Sequence, residues 1–468
     1  MTGLVLGLDQ GTSSTRCVAL DASLREHGAC SVALACSYPG PGLVEQSPEE
    51  IASSAEQAIA GCLEAAGGGE VIALGIANQT ETFVVWDRET GRAVHPAIVW
   101  QDRRTDGACA ALREHAGFVR ERTGLELDAT FPATKLRWVL DAVGGSDGLA
   151  YGDVASWLLH ALGGVWTCDA GNAGRSLLSP LGGTDWDDEL LGLFGVPRVI
   201  MPPIVDTDAI DATIRGVPVR AALGDQQASL FGQRCLEPGA AKVTLGTGAF
   251  VLASAGGVPP VPPEGVLASC AWRRAGDTTY ALEGFVPAAG AAVDWFAREL
   301  ALPAGPELDA LLREGRPGPI CVPALAGFGT PAWDAAARGV IVGLGLDTTR
   351  ADLARAVVDG VLHQIVDALD AIGVGSLWVD GGLSRSDWIV QRLADLGGVQ
   401  VQRTPRADST ALGAAMLAGL ASGVWSTPAE IPRVVADLVA EPRECDREAE
   451  RARWAAATEL ARSAPSGR

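Results

Sequence analysis

A chain of 468 residues is longer than one ordinary hydrophobic core sustains, and 48% hydrophobic residues supply apolar surface for more than one. A formal net charge of −21 argues against a nucleic-acid face and against an acidic membrane surface as partner. The ten scattered cysteines, with no CxxC pair, read as reduced structural thiols of a cytoplasmic protein.

The N-terminus runs straight into a strand, with no basic and apolar leader, and no apolar run approaches about 20 residues, so no signal segment or membrane span is expected. Leu4 to Leu8 is a short apolar strand, Asp9-Gln10-Gly11-Thr12-Ser13-Ser14-Thr15 a turn rich in hydroxyls, and Arg16 to Leu20 a return strand. Pro48 to Ala66 reads as a helix capped by Ser47. Val71 to Ile76 is a buried strand ending in Asn78-Gln79-Thr80-Glu81-Thr82. Phe83 to Trp86 is another strand, turned by Asp87 to Gly91, and Ile98-Val99-Trp100 ends in a charged tip. Strands alternating with helices place this half in the α/β class.

Val217 to Leu223 is a strand that ends at Gly224-Asp225-Gln226-Gln227, after which small and apolar residues begin a helix. A carboxylate between a buried strand end and a helix is placed either to cap that helix or to meet a ligand. The pattern then restarts. Ala241 to Leu245, the turn Gly246-Thr247-Gly248 and Ala249 to Ala253 form a second hairpin with a glycine and hydroxyl tip. The proline-rich stretch Gly256 to Gly265 is a loop. Thr349 to Ile372 is a long helix with Asp352 three residues after a Thr cap. Ser376 to Val379 is a strand leading to Asp380-Gly381-Gly382, and Arg443 to Arg462 is a charged, solvated terminal helix. Two α/β domains of similar plan follow, residues 1–232 and 233–468, with Asp225 at their junction.

Two such hairpins, one per half, suit a phosphate gripped from both sides, because backbone N–H groups in tight turns form anion-binding concavities. No GxxxxGK[ST] occurs and the chain has only two lysines, Lys135 and Lys242, so a P-loop is excluded. No GxGxxG follows the first strand, which argues against a Rossmann dinucleotide site. The five histidines are scattered without metal-ligand spacing.

These residues carry a resemblance along nearly the whole chain. Gly7-Leu8-Asp9-Gln10-Gly11-Thr12, Asn78 to Thr82, Val84 to Gly91 and Ile98 to Thr105 resemble segments of the FGGY carbohydrate kinases, and most of all glycerol kinases. Ala133 to Trp138, Gly339 to Asp359 and Thr410 to Ala415 resemble further signatures of that family. The resemblance implies two actin-like, ribonuclease-H-like ATPase domains with a cleft between them, closing over ATP, Mg²⁺ and a small polyol or sugar. Asp225 then matches the general base and Asp9 the residue near Mg²⁺. Thr12, Ser13 and Arg16 match the first phosphate loop, Gly246 and Thr247 the second, and Gly290 and Gly382 positions flanking the nucleotide. Glu81, Trp100, Asp225 and Gln226 match acceptor-site residues.

Some positions depart from glycerol kinases. Thr80 stands in place of an arginine, Thr130 of a tyrosine and Pro287 of a phenylalanine, which hollows the acceptor wall. Thr cannot reproduce a bidentate Arg. On the nucleotide side Asp294 replaces a glutamine and Ser386 an asparagine. The stretch Asp206 to Gly216 is short and lacks the Gly-Arg-rich inhibitor loop of some relatives. The expectation is an ATP-dependent kinase with an altered acceptor pocket, acting on neither nucleic acid nor membrane. The alternatives are a true glycerol kinase, a xylulose-type ketose kinase and a non-catalytic polyol-binding paralogue. Relatives commonly form dimers or tetramers.

Overall fold

The computed structural model describes residues 3–303, 305–406 and 408–463. Two large twisted sheets dominate it. The first has six strands in the order Ala212–Ile214, Val217–Gly224, Val71–Asn78, Leu4–Gln10, Ser14–Leu20 and Glu26–Ala33. Its three central strands are parallel, and Gln10, Asn78 and Gly224 lie side by side at their carboxyl ends. The crevice beyond the carboxyl ends of parallel strands is where an open α/β sheet offers a ligand site. Those strands are mostly apolar and buried because both faces are largely covered, Asp9 and Arg220 being the charged exceptions within them.

The second sheet has seven strands in the order Leu267–Arg274, Asp277–Val286, Ala249–Gly256, Ala240–Leu245, Ser376–Asp380, Val401–Arg403 and Leu438–Ala440. It repeats the plan of the first. Ala240–Leu245 pairs antiparallel with its hairpin partner Ala249–Gly256 and parallel with Ser376–Asp380, with Thr244 beside Asp380 at the edge. The expected hairpins at residues 4–20 and 241–253 are both present, the first with longer strands about a shorter turn and the second extended to residues 240–256.

Helices follow the expected signals. Pro48–Ala65 starts on Ser47, whose side chain accepts the N–H of Glu50. Arg350–Ile372 starts on a full capping box of Thr349 and Asp352 and packs on the second sheet. Ser409–Ala421 is apolar all round. It lies on the first sheet so closely that glycine is required at the contacts. A Cβ at Gly7 would come 1.9 Å from the Ala411 carbonyl oxygen, and one at Gly75 2.0 Å from that of Ala414. Gly413 lies against Asp225–Gly232, where its Cβ would stand 1.8 Å from the Ala228 oxygen. These two helices form the core between the sheets, with Val5, Ala73 and Ala221 from one and Leu252, Ala271 and Trp272 from the other.

The terminal helix differs from the expectation of a solvated face. It begins at Arg447, not Arg443, and buries Trp454, Ala457 and Ala461 against the short strands Ile320–Val322 and Val340–Val342. The apolar residues recur at three- and four-residue spacing beneath the charge-rich composition, which hid them. No helix among the described residues is long and apolar enough to cross a membrane.

Candidate active site

A cleft of about 780 Å³ opens between the two halves. Ten of the residues singled out in the sequence line it: Thr12, Ser13, Thr80, Glu81, Trp100, Thr130, Asp225, Gln226, Gly246 and Thr247. Pro287 lines it too. Thr12 and Ser13, Thr80 and Glu81, Asp225 and Gln226, and Gly246 and Thr247 follow the carboxyl ends of Leu4–Gln10, Val71–Asn78, Val217–Gly224 and Ala240–Leu245, while Trp100, Thr130 and Pro287 come from other segments.

Asp225 is the first residue of the helix Asp225–Gly232, and Gly224 is its N-cap. The carboxylate accepts one first-turn donor, the N–H of its neighbour Gln226, at 2.7 Å, which is its only hydrogen bond among the described residues. Gly224 is tightly constrained, since a Cβ there would meet Gln227 Oε1 and Thr80 Cγ2, each at 2.4 Å. Burial and the nearby Glu81 charge raise the Asp225 pKa to about 6, while Lys242, the Gln226 N–H and Arg175 restrain it. A carboxylate with its proton affinity lifted towards neutrality and open to a cleft is suited to take a proton.

Asp9, half-buried on the first hairpin strand, is pushed up to about 7 by burial, then by Asp225 and Asp408, against the pull of Arg16. The Asp225 charge is thus one of the groups that make ionised Asp9 costly in the absence of a cation. Hard carboxylate oxygens suit Mg²⁺, which keeps most of its waters and needs few protein ligands. The described residues contain no cluster of three or more His, Cys, Asp or Glu that would cage a metal by itself.

The first hairpin turn is braced by neighbouring side chains of the cleft. Thr12 Oγ1 receives the Trp100 indole N–H at 3.1 Å and donates to Gln79 Oε1 at 3.2 Å, and Gln46 Nε2 donates to the Thr12 carbonyl at 2.7 Å. The second turn rests on the start of the helix Gly290–Glu299. The Gly290 N–H donates to the Gly246 oxygen at 2.9 Å, and the N–H groups of Ala289 and Ala291 donate to the Thr247 oxygen. Gly290 is thus packed directly behind the turn, where a Cβ would come 2.5 Å from the Gly246 oxygen.

Other expected nucleotide residues stand outside the cavity. Arg16 pairs with Glu26 at 3.8 Å and Asp408 at 3.6 Å and donates to Ser31. Asp294 is exposed on its helix. Gly382 is exposed, beside Gly381, whose φ of 91° and contact with the Leu245 backbone mark the tightest point after that strand. The Ser386 hydroxyl caps the helix Asp387–Gly397 and donates to Asp309.

The side of the cleft that carries Thr80, Glu81 and Thr130 is more tightly wired than its sequence implies. The Thr80 hydroxyl donates to Glu81 Oε2 at 2.6 Å. Glu81 sits at a φ of 62°, a conformation that non-glycine residues adopt rarely and often at ligand sites. Its other oxygen takes the Arg175 Nε–H at 2.6 Å, and Arg175 Nη1 reaches Glu283 of the second sheet at 2.6 Å. The Thr130 hydroxyl is held by Asp128 at 2.6 Å, and Arg103 binds Asp128 in turn. Trp100 meets Phe250 of the second half edge to face, with ring centroids 6.2 Å apart.

Sequence reasoning missed Arg175, Glu283 and the role of Lys242. Lys242 is wholly buried and donates to Gln226 Oε1 and to Thr244 Oγ1, so it fixes the residue next to the candidate base. Lys135 is also wholly buried. It holds the Thr130 and Val99 carbonyls, and burial lowers its pKa to about 7.

Comparisons with known proteins agree with this geometry. The profile of the FGGY family of carbohydrate kinases, N-terminal domain, matches residues 4–232, and that of the C-terminal domain matches residues 241–422. A glycerol kinase of Aromatoleum aromaticum is 43% identical, over 98% of this chain and 98% of that protein. A glycerol kinase of Thermus brockianus is 42% identical over 98% of each. Among solved structures, Plasmodium falciparum glycerol kinase with ADP superimposes with a TM-score of 0.92 at 26% identity, covering 98% of both chains. A xylulose kinase from Brucella ovis superimposes with a TM-score of 0.85 at 27% identity, again over 98% of both.

Proposed function

The chain belongs to the FGGY family of carbohydrate kinases, and on that premise we propose that it moves the γ-phosphoryl group of ATP to a hydroxyl of a small polyol or sugar, with Asp225 as general base. The observation that carries this is the Asp225 carboxylate itself. It accepts a single hydrogen bond among the described residues, from the Gln226 N–H, it also lines the cleft, and the Gly246-Thr247-Gly248 turn lines the same cleft.

Phosphoryl transfer asks a protein chiefly for alignment and charge neutralisation. Glu81 and Gln226 hold the acceptor so that one hydroxyl meets Asp225, which receives its proton as the oxygen attacks. Trp100 supplies an apolar wall behind the acceptor carbons. The N–H groups and hydroxyls at Thr12, Ser13, Gly246 and Thr247 receive the phosphate oxygens, with Gly290, Asp294, Gly382 and Ser386 towards the nucleoside. Asp9 would hold Mg²⁺ through water, and that ion, when bound, neutralises phosphate charge. Residues 1–232 and 233–468 act as two domains, and neither alone carries both turns.

Thr80, Thr130 and Pro287 leave the acceptor wall shallower than an Arg, Tyr and Phe set would. An acceptor longer than glycerol, of four or five carbons, fits that volume. The second reading is a true glycerol kinase, favoured by the names of the relatives at 42–43% identity. The deciding experiment is kcat/KM with ATP for glycerol beside erythritol, ribitol, xylitol and the matching ketoses. A four- or five-carbon acceptor leading glycerol supports the wider pocket. Glycerol leading by tenfold or more makes the protein a glycerol kinase. Acceptor binding with no turnover on any compound removes the kinase assignment.

A further inference from the structure

Arg175 has more donors than partners. A guanidinium carries five N–H groups in a planar fork. Two are committed, Nε to Glu81 Oε1 and Nη1 to Glu283 Oε2, each at 2.6 Å. The Nη2 hydrogens have no acceptor among the described residues, and the side chain lines the cleft with 11% of its surface exposed. The fork cannot swing away. Two carboxylates from opposite halves pin it, and the Phe131 ring lies 5.4 Å from the guanidinium carbon. Glu283 is itself fixed by the hydroxyl of Ser269.

We infer that Arg175 is an acceptor-binding residue, presenting its Nη2 hydrogens to oxygen atoms of a neutral polyhydroxy compound while Glu81 and Glu283 hold its plane. The inference rests on the acceptor site proposed above. Position 80 offers only a hydroxyl, so Arg175 is the one cation among the lining residues. Its charge is more than balanced, because Glu81, Glu126, Asp128, Asp225 and Glu283 line the same cleft. An anionic acceptor such as a sugar acid is therefore disfavoured, and a neutral polyol or ketose favoured. Because its two anchors lie in different halves, the fork is aimed only when the halves are in register.

The test is calorimetric binding of ribitol, xylitol, erythritol, glycerol and gluconate to the whole protein, which is independent of turnover. The wild type is compared with Arg175→Gln and Arg175→Lys. Removing the arginine strands two carboxylates, which destabilises a buried site. A second pair, Glu283→Gln and the double variant Arg175→Gln with Glu283→Gln, therefore leaves only Glu81 without its partner. We expect Arg175→Gln, or the double variant against Glu283→Gln, to lose about tenfold or more in polyol affinity, as for a lost bond to a charged group. ATP affinity should stay within about twofold, and added guanidinium ion should restore part of the polyol binding. Polyol affinity unchanged in both comparisons, or preferential binding of gluconate, overturns the inference, as does a wild type that binds no polyol. Polyol binding that depends on Arg175 in a protein without turnover sinks the kinase reading alone.

Discussion

Trp100 donates its indole N–H to the Thr12 hydroxyl at 3.1 Å, joining the proposed acceptor wall to the first hairpin turn. One hydrogen bond thus links two parts of the cleft lining that are 88 residues apart in the chain. Trp100→Phe keeps an aromatic wall and deletes the bond. A neutral hydrogen bond contributes about 0.5–1.5 kcal/mol, so KM should rise about 2- to 10-fold for the acceptor and for ATP together. Steady-state kinetics with each substrate varied checks this. A change confined to the acceptor would show that the bond does not couple the sites.

Asp225→Asn keeps the shape of the side chain and removes the base. The fold and nucleotide affinity should persist while kcat drops by about 10²–10⁴-fold. Since the carboxylate has a pKa of about 6, wild-type kcat/KM should fall as pH drops below about 6 and level off above it. Turnover by the Asn variant within about threefold of wild type would leave this site without its base.

Thr247→Val deletes a hydroxyl but keeps the turn, because the Thr247 backbone oxygen, not its side chain, binds the helix behind it. ATP should lose affinity relative to ADP, by about tenfold if the hydroxyl meets the γ-phosphate, and acceptor binding should hold. Calorimetry with both nucleotides measures the ratio. An unaltered ratio separates Thr247 from the transferred group.

Asp9 carries a pH signature in stability. Its pKa rises from 3.8 unfolded to about 7 folded, so the folded state holds the extra proton in between. The stabilisation is fully present below pH 3.8 and is lost as pH rises through about 7. Asp9→Asn should therefore raise the metal-free Tm at pH 8 by about 2 °C or more, with the gain vanishing towards pH 4. Added Mg²⁺ should stabilise the wild type and not the variant. Thermal melts across pH provide the check, and a variant less stable than wild type at pH 8 without metal would contradict the shift.

Some of this was legible in the sequence and some was not. Asp225 and the turns at Thr12 and Thr247 were readable because each is a local run: a strand, a tight polar turn, then a strand or helix. The charge-bearing partners were not. Arg175, Glu283 and Glu81 meet only because the end of the short helix Ala170–Gly174 and the strand Asp277–Val286 of the second sheet converge on the end of Val71–Asn78, which no local spacing announces. Two signals were available: Lys242 is one of only two lysines and lies in an apolar strand, and Glu283 interrupts another. A buried charge in such a strand demands a partner. Thr80 and Thr130 read as holes in a wall, yet their hydroxyls are bound to Glu81 and Asp128, so each is an ordered surface.

The helix Ser409–Ala421, seated on Gly7 and Gly75, bears on how the chain is made. A nascent chain emerges from its N-terminus, so the first sheet is synthesised well before its cover. Until residue 421 has emerged, Val5, Ala73 and Ala221 face water or a chaperone. The earliest strands are thus among the last to be sealed, and truncations short of that helix should be caught as unfinished protein rather than as a stable half.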